Sequence, residues 1–377
     1  MKLSKRCFVL MSIIIGMFVF SFWSYAQSQT IYDEQMKSSG AEDLIETLTD
    51  EQKDLLSGLG IESVDFASLF SADPHKVFDI FFEVLSDNYQ SPLKSAGSVL
   101  VMIVALNIAS QFISSDDKTN QVIFNFGVLS ISLCLLVPLS ACIARVVSAI
   151  GLTADFMKAL LPVLACVLTV SGNPTAALSY NSLCFAAAQI VTQIADGFIK
   201  PIIQIILSLS VMSGINDSIN FEKTVSFVKK TVVFILSFIS TVFVALLSLK
   251  GALANAADTV AVRGIRFLIG NSIPVVGGAV SDAYNSIIGT LLMVKNTVAV
   301  FAVAAIGVIN LPVIAECVCW IFALNLLSAF SDIFSLKKIS SMLASVASSV
   351  TLLTVSLVMV VIVFVLSIGL IMLIKGG

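Results

Sequence analysis

Charge is what this sequence has least of: 12% of its 377 residues are Asp, Glu, Lys or Arg, about half the share of an ordinary soluble domain. That shortage excludes a chain of two or three water-exposed domains, which the length alone would allow. Histidine is nearly absent. A lone His75 builds no His-rich metal centre and leaves the apolar body without an imidazole acid–base group. Cysteine is missing from the acidic segment 27–94, so no disulfide framework can form there. Cys7 lies in the leader, while Cys134, Cys142, Cys166, Cys184, Cys317 and Cys319 sit in apolar runs, where thiols behave as small hydrophobes. Cys317 and Cys319 lack the two-residue spacer and the second ligand pair of a zinc site. The basic residues are dispersed rather than striped, which leaves no footprint for nucleic acid. No HExxH, paired catalytic aspartate motif or serine nucleophile elbow is present, which argues against an intramembrane enzyme. Nothing in the sequence calls for a metal or a cofactor.

Apolar residues fill the gap. They make up 58% of the chain, with a mean hydropathy of +1.02. Lys2, Lys5 and Arg6 precede an uncharged apolar stretch from Cys7 to Trp23, and Ser24-Tyr25-Ala26 supplies small residues for signal peptidase. Residues 1–26 therefore read as a secretory signal; an uncleaved anchor would export the next segment just as well. Residues 27–94 hold 14 acids and 4 lysines, a net −10, whereas the rest of the chain is +7. This exported segment reads as short helices. Thr49-Asp50-Glu51 opens one with acids in its first turn, and Asp73-Pro74 opens another. Leu44, Leu48, Leu55, Leu56 and Leu59, then Val77, Phe78, Phe81, Phe82 and Leu85, repeat at helical spacing. A small self-contained cap and a partner-docking surface both satisfy that pattern.

From residue 95 to 377 the chain reads as an all-α, polytopic transmembrane helix bundle. Crossing about 30 Å of hydrocarbon takes about 20 helical residues. The apolar runs 96–114, 122–147, 156–172, 177–199, 231–249, 287–309, 312–330 and 342–374 predict about eight spans. The stretch 201–215 is either a half-helix or a continuation of 177–199 kinked at Pro201. The last run, at 33 residues, must tilt strongly or extend beyond the bilayer. Lys223, Lys229 and Lys230 predict a cytoplasmic loop. Counting onward then leaves Lys337 and Lys338 outside, so one segment between 231 and 330 is re-entrant or the count is off by one.

Ionisable groups inside lipid are costly, and they face a cavity or a partner charge. Asp196, Lys295 and Glu316 are embedded in this way. Asp155 and Lys158, three apart, read as a local surface pair. The densest feature is the linker 250–286, where Asp258, Arg263, Arg266 and Asp282 are punctuated by Gly270-Asn271, Pro274 and Gly277-Gly278. It reads as an amphipathic surface segment, then a glycine–proline bend that re-enters the protein. Arg263 and Arg266 are placed to pair with Asp258 or Asp282, as a structural lock ahead of a substrate site. Gly277-Gly278 lacks the lysine of a phosphate loop.

Signal, acidic exported helices, and a membrane body carrying Arg263, Arg266, Gly270, Asn271, Pro274 to Gly278 and Ser281 to Ala283 together resemble the stage III sporulation protein AE family. The resemblance implies a component made in the mother cell of endospore-forming bacteria. It implies assembly with the other stage III sporulation A-operon proteins in the membrane around the forespore, facing a forespore-side partner. The assembly that the resemblance implies looks like a secretion-like or feeding channel required for late forespore gene expression. The resemblance brings no catalytic residues. The rival reading is a self-sufficient permease built on broken helices at 156–174, 201–215 and 270–286, with Lys295 or Glu316 as its coupling groups.

Overall fold

The computed structural model describes residues 30–71, 74–88, 90–112, 117–215, 221–272 and 277–374. Among these there are helices and turns and no strand. A short helix over 30–39 and a 3-10 turn Glu42–Thr47 lead into α1 (Asp50–Gly58), α2 (Phe66–Ser71) and α3 (Pro74–Asn88). The body comprises α4 (Gln90–Phe112), α5 (Asp117–Val170), α6 (Pro174–Ile194), a π turn (Ala195–Ile199), α7 (Lys200–Ile215), α8 (Phe221–Ser272), α9 (Gly277–Ile333) and α10 (Lys337–Met372).

The helix starts expected at Thr49 and Pro74 are present. Thr49 and Gln52 form a reciprocal capping box at α1, and α3 begins on Pro74. Asp73 lies outside the described residues. The body differs from the expected count. Among the described residues six helices are long and apolar enough to cross a membrane, two of them made by joining runs that read as separate spans. Runs 122–147 and 156–172 are one helix of 54 residues that carries Pro138 and Pro162 through its interior. Runs 287–309 and 312–330 are one helix of 57 residues across Pro312. A membrane helix tolerates proline where neighbouring helices and small polar side chains satisfy the freed carbonyls. Pro201 behaves differently. Its ring cannot fit a regular turn against the carbonyl four residues back, and α6 continues into α7 through the widened π turn Ala195–Ile199. The linker's first half is likewise not a separate surface segment. Ala-rich 250–272 keeps helical propensity and simply extends α8 to 52 residues.

Long helices set the shape. At 1.5 Å per residue, α5 and α9 run about 80 Å, far more than one hydrocarbon thickness, whereas the 23 residues of α4 cover about 35 Å. The apolar core correspondingly falls into two groups along the helices. One gathers Ile103, Leu139, Ile206, Val232, Leu324 and Leu353, and every body helix except α6 contributes to it. The other gathers Leu160, Tyr180, Leu247, Phe301 and Phe364, and includes no residue of α4. Here it is Met36, Leu44, Leu48 and Leu56 of the N-terminal segment that complete the packing. The acidic segment thus buries its apolar stripes on α5 and α9, and α3 sets Ile80 and Val84 against Ala315 and Leu311. We call these the inner and outer layers.

Two hairpin turns share one geometry. At the end of α5, Gly172 has φ +85°, its amide donates to the Thr169 carbonyl, and the Asn173 amide donates to the Leu168 carbonyl. At the end of α9, Ser335 has φ +59°, with the same pair of bonds from Ser335 to Asp332 and from Leu336 to Ser331. Both are left-handed helix caps that satisfy terminal carbonyls and reverse the chain at once. Elsewhere glycine allows close approach. A Cβ on Gly251 of α8 would lie 2.2 Å from the Tyr180 hydroxyl oxygen of α6, with ring atoms at 2.8 and 2.9 Å. Gly251→Ala should therefore destabilise the protein by about 1–3 kcal/mol through overpacking, read as a lower unfolding midpoint in detergent. Tyr180→Phe in the same chain should recover only part of the loss, because the ring atoms remain too close.

Candidate functional site

Among the described residues, three clusters hold the buried charged groups of the body, and each joins helices distant in sequence. The first lies where α5 crosses α9, at the junction of the two layers. Glu316 is 4% exposed. Arg145 of α5 grips it with two hydrogen bonds, Nε to Oε2 at 2.6 Å and Nη2 to Oε1, and Trp320 Nε1 donates to Oε1 at 3.3 Å. A guanidinium fork meeting a carboxylate in two places is the strongest form of such a pair. Cys142 and Cys317 touch beside it, sulfur to sulfur at 3.8 Å, and all described cysteines are free thiols. Two turns along α9, Asn310 donates to Thr153 Oγ1 of α5 at 2.9 Å. The α5–α9 crossing is thereby stitched by polar contacts where lipid would give no hydrophobic drive.

The second cluster caps a helix from another helix. Asn173 opens α6 without a side-chain cap, and Pro174 comes next. Asp258 of α8, 3% exposed, supplies the cap instead: its oxygens accept from the amides of Thr175 at 3.2 Å and Ala176 at 2.9 Å. The helix N-terminus carries partial positive charge and needs acceptors, so a carboxylate there is stabilised without a cation. The third cluster does the reverse. Lys295 of α9 is 1% exposed, and its Nζ donates to the carbonyls of Met372, at 3.1 Å, and Ile374. A buried ammonium sits on the electronegative end of α10.

The sequence candidates are sorted by this geometry. Lys295, Glu316 and Asp258 each hold two elements together, but with partners other than those expected. Asp258 takes backbone amides, and Arg263, its expected partner, is exposed on the outside of α8. Arg266 and Asp282 lie on helical backbone with side chains outside the described set; Gly277 and Gly278 begin α9, and Pro274 lies outside the described residues. Asp196 is exposed on the π turn, and Asp155 pairs with Lys158 at 2.9 Å as a local surface contact. Arg145 is the partner of Glu316 that sequence reasoning misses, although one basic residue in the apolar run 122–147 satisfies the criterion that flags Glu316. The N-terminal segment adds one polar stitch. Tyr32 donates to Thr297 Oγ1 at 3.2 Å, and burial, the largest influence, pushes its phenol above the ordinary range, so it stays a neutral donor.

What these clusters do is lock helices. Among the described residues no group of His, Cys, Asp or Glu is placed to hold a metal. Apolar crevices lie between α8 and its neighbours, one of about 100 Å³ beside the π turn, lined by Ile190, Val191, Leu236, Phe243 and Met359, and one of about 590 Å³ between α8 and α10, lined by Ser237, Thr241, Val244, Ile362 and Leu366; neither lining includes an ionisable side chain. The Glu316 side of this ion pair is buried and the Arg145 side is half exposed to its surroundings. Arg145→Ala should destabilise by about 1–3 kcal/mol, less than for a fully buried pair, because the buried Glu316 carboxyl loses two hydrogen bonds, whereas Arg145→Met with Glu316→Met should recover most of that loss; thermal unfolding of the purified variants measures both. Asp258→Ala should cost about 1.5–3 kcal/mol, as for hydrogen bonds to a charged acceptor, and should speed amide exchange at Thr175 and Ala176.

Comparison with known proteins identifies a family. Residues 66–375 match the sequence model of the family described as stage III sporulation protein AE. The stage III sporulation protein AE of Bacillus subtilis (strain 168) is 27% identical over 156 residues, which span 41% of this chain and 39% of that relative. The match thus covers about two fifths of the relative's length. No solved structure matches.

Proposed function

This chain belongs to the stage III sporulation protein AE family, and from that premise we propose that it is a multi-span, non-catalytic component of the channel between mother cell and forespore. It acts there with the other proteins of its operon and with a forespore-side partner, and it is needed for late forespore gene expression. The observation that carries this reading is the use made of the buried charges. Lys295 and Glu316, the two groups a self-sufficient transporter would have to couple to its cargo, are both engaged by fixed partners within the protein. A scaffold for other subunits needs such locks; a permease needs such groups free to change partner.

The reading includes an orientation. With the N-terminal segment exported, six crossings place the helix ends near 112–117, 215–221 and 333–337 on the cytoplasmic side. Lys223, Lys229, Lys230, Lys337 and Lys338 then share one face, as the positive-inside tendency requires. The conflict that eight spans create at Lys337 and Lys338 disappears. Lys229 also ties α8 to α10 there, donating to the Ser345 carbonyl at 3.2 Å and to Ser348 Oγ. The inner layer, matched to the length of α4, lies in the bilayer. The outer layer stands beyond it, covered in part by the acidic segment.

Deleting the gene in its spore-forming host should stop development after engulfment while vegetative growth stays normal; an undiminished spore yield refutes the proposal. Reporter fusions within 216–220 and at Ser335 should read as cytoplasmic, and fusions at Gly172 and within 273–276 as extracytoplasmic. The reverse pattern overturns the six-crossing orientation.

A further inference from the structure

Lys229 of α8 is a half-buried cation without a counter-charge. Its ammonium donates to the Ser345 carbonyl of α10 at 3.2 Å and to Ser348 Oγ. Those bonds use two of its three protons, and both acceptors are neutral. Among the described residues no carboxylate lies within ion-pair distance of it. Asp258, Lys295 and Glu316 are each compensated by a helix terminus or a guanidinium; Lys229 is not. Ser348 and the adjacent Lys230 are exposed, which leaves the place open from the side of the bundle.

From this point a lane leads into the apolar crevice of about 590 Å³ between α8 and α10. On α8, Lys230, Val233, Ser237, Thr241 and Val244 follow one another at three- and four-residue spacing, and on α10 Ser348, Thr351, Val355, Met359 and Ile362 do the same. Such spacing keeps residues on one face of a helix. The far members of both rows, Ser237, Thr241 and Val244 with Met359 and Ile362, line the crevice. Val244 lies 14 residues beyond Lys230, about 21 Å along the helix, which is about the depth of one leaflet with its headgroups. Beyond the lysines neither row holds a charge. Bulk lipid wets any exposed apolar helix face, so the crevice alone would name no ligand. The uncompensated cation at its head names one: a molecule with an anionic head and a long apolar tail.

We propose that one anionic phospholipid is a resident ligand of this chain, its phosphate seated on Lys229 and Lys230 and an acyl chain lying along the lane into the crevice between α8 and α10. Its assignment to the cytoplasmic leaflet, where anionic lipids gather basic residues, rests on the orientation given above.

The test uses the full-length chain in detergent micelles holding equal amounts of dioleoyl phosphatidylglycerol and dioleoyl phosphatidylcholine, which share the same chains, with bound lipid read by native mass spectrometry. Phosphatidylglycerol should be retained in preference. Lys229→Gln and Lys230→Gln should each lower that preference about fivefold, whereas Lys223→Gln, on the same end of α8, should leave it unchanged. Thr241→Trp fills the crevice without touching either lysine, and it should reduce retention of both lipids. Equal retention of the two lipids by the unmodified chain overturns the proposal. So does a preference that falls as far in Lys223→Gln, which would mean a diffuse basic face, or lipid retention that Thr241→Trp leaves intact. Displacement of the bound phosphatidylglycerol by inorganic phosphate would mean a site for a free anion and overturns it as well. Micelles have no sidedness, so failure here leaves both the sporulation role and the orientation standing.

Discussion

Helices of 52, 54 and 57 residues reach about 80 Å, and a bilayer offers about 30 Å of hydrocarbon. More than half of each must find surroundings other than a single lipid crossing. The chain meets this constraint by building its core in two layers along the same helices. The short helix α4 contributes to one layer, and the acidic N-terminal segment takes the vacated position in the other. The segment sets its apolar stripes on the surface that the long helices give it.

Such helices must also be held in register, and polar contacts do that here more than apolar ones. Between lipid-exposed helices the apolar surface is as comfortable in lipid as in protein, so specificity comes from close packing and from hydrogen bonds. Arg145 with Glu316 fixes α5 against α9, Asp258 fixes α8 against the start of α6, and Lys295 fixes α9 against the end of α10. Asp258 and Lys295 use a helix terminus as counter-charge. A terminus is formed only once its helix is, so these pairs also couple helix formation to assembly.

Much of this is legible in the sequence and some is not. Lys295 and Glu316 stand out as charges in apolar runs, and the two helix starts at Thr49 and Pro74 come from local chemistry. Arg145 is readable by the same rule as Glu316, and only the presence of a partner 171 residues away distinguishes it from a snorkelling base. The partners of Asp258 are not readable at all. Backbone amides are present in nearly every residue, so no complementary letter marks Thr175 and Ala176 as the recipients. The more polar stretch 148–155, which ends in Asp155, and Pro312 account for the difference between eight expected spans and six helices among the described residues. Proline signals a break only when the surroundings leave the freed carbonyls unsatisfied, and that depends on neighbours far away in the chain.

Composition and periodicity by themselves determined a helical membrane protein with an acidic N-terminal segment, because charge scarcity and helical spacing are properties of short stretches. Residue order also carried the family resemblance. Tertiary structure alone decided that eight apolar runs are six helices, that the acidic segment lies on α5 and α9, and that each of the three buried charges has a backbone or side-chain partner more than 70 residues away. Those outcomes are set by which surfaces meet, and the energy of a buried charge depends on what stands opposite it once the chain has folded.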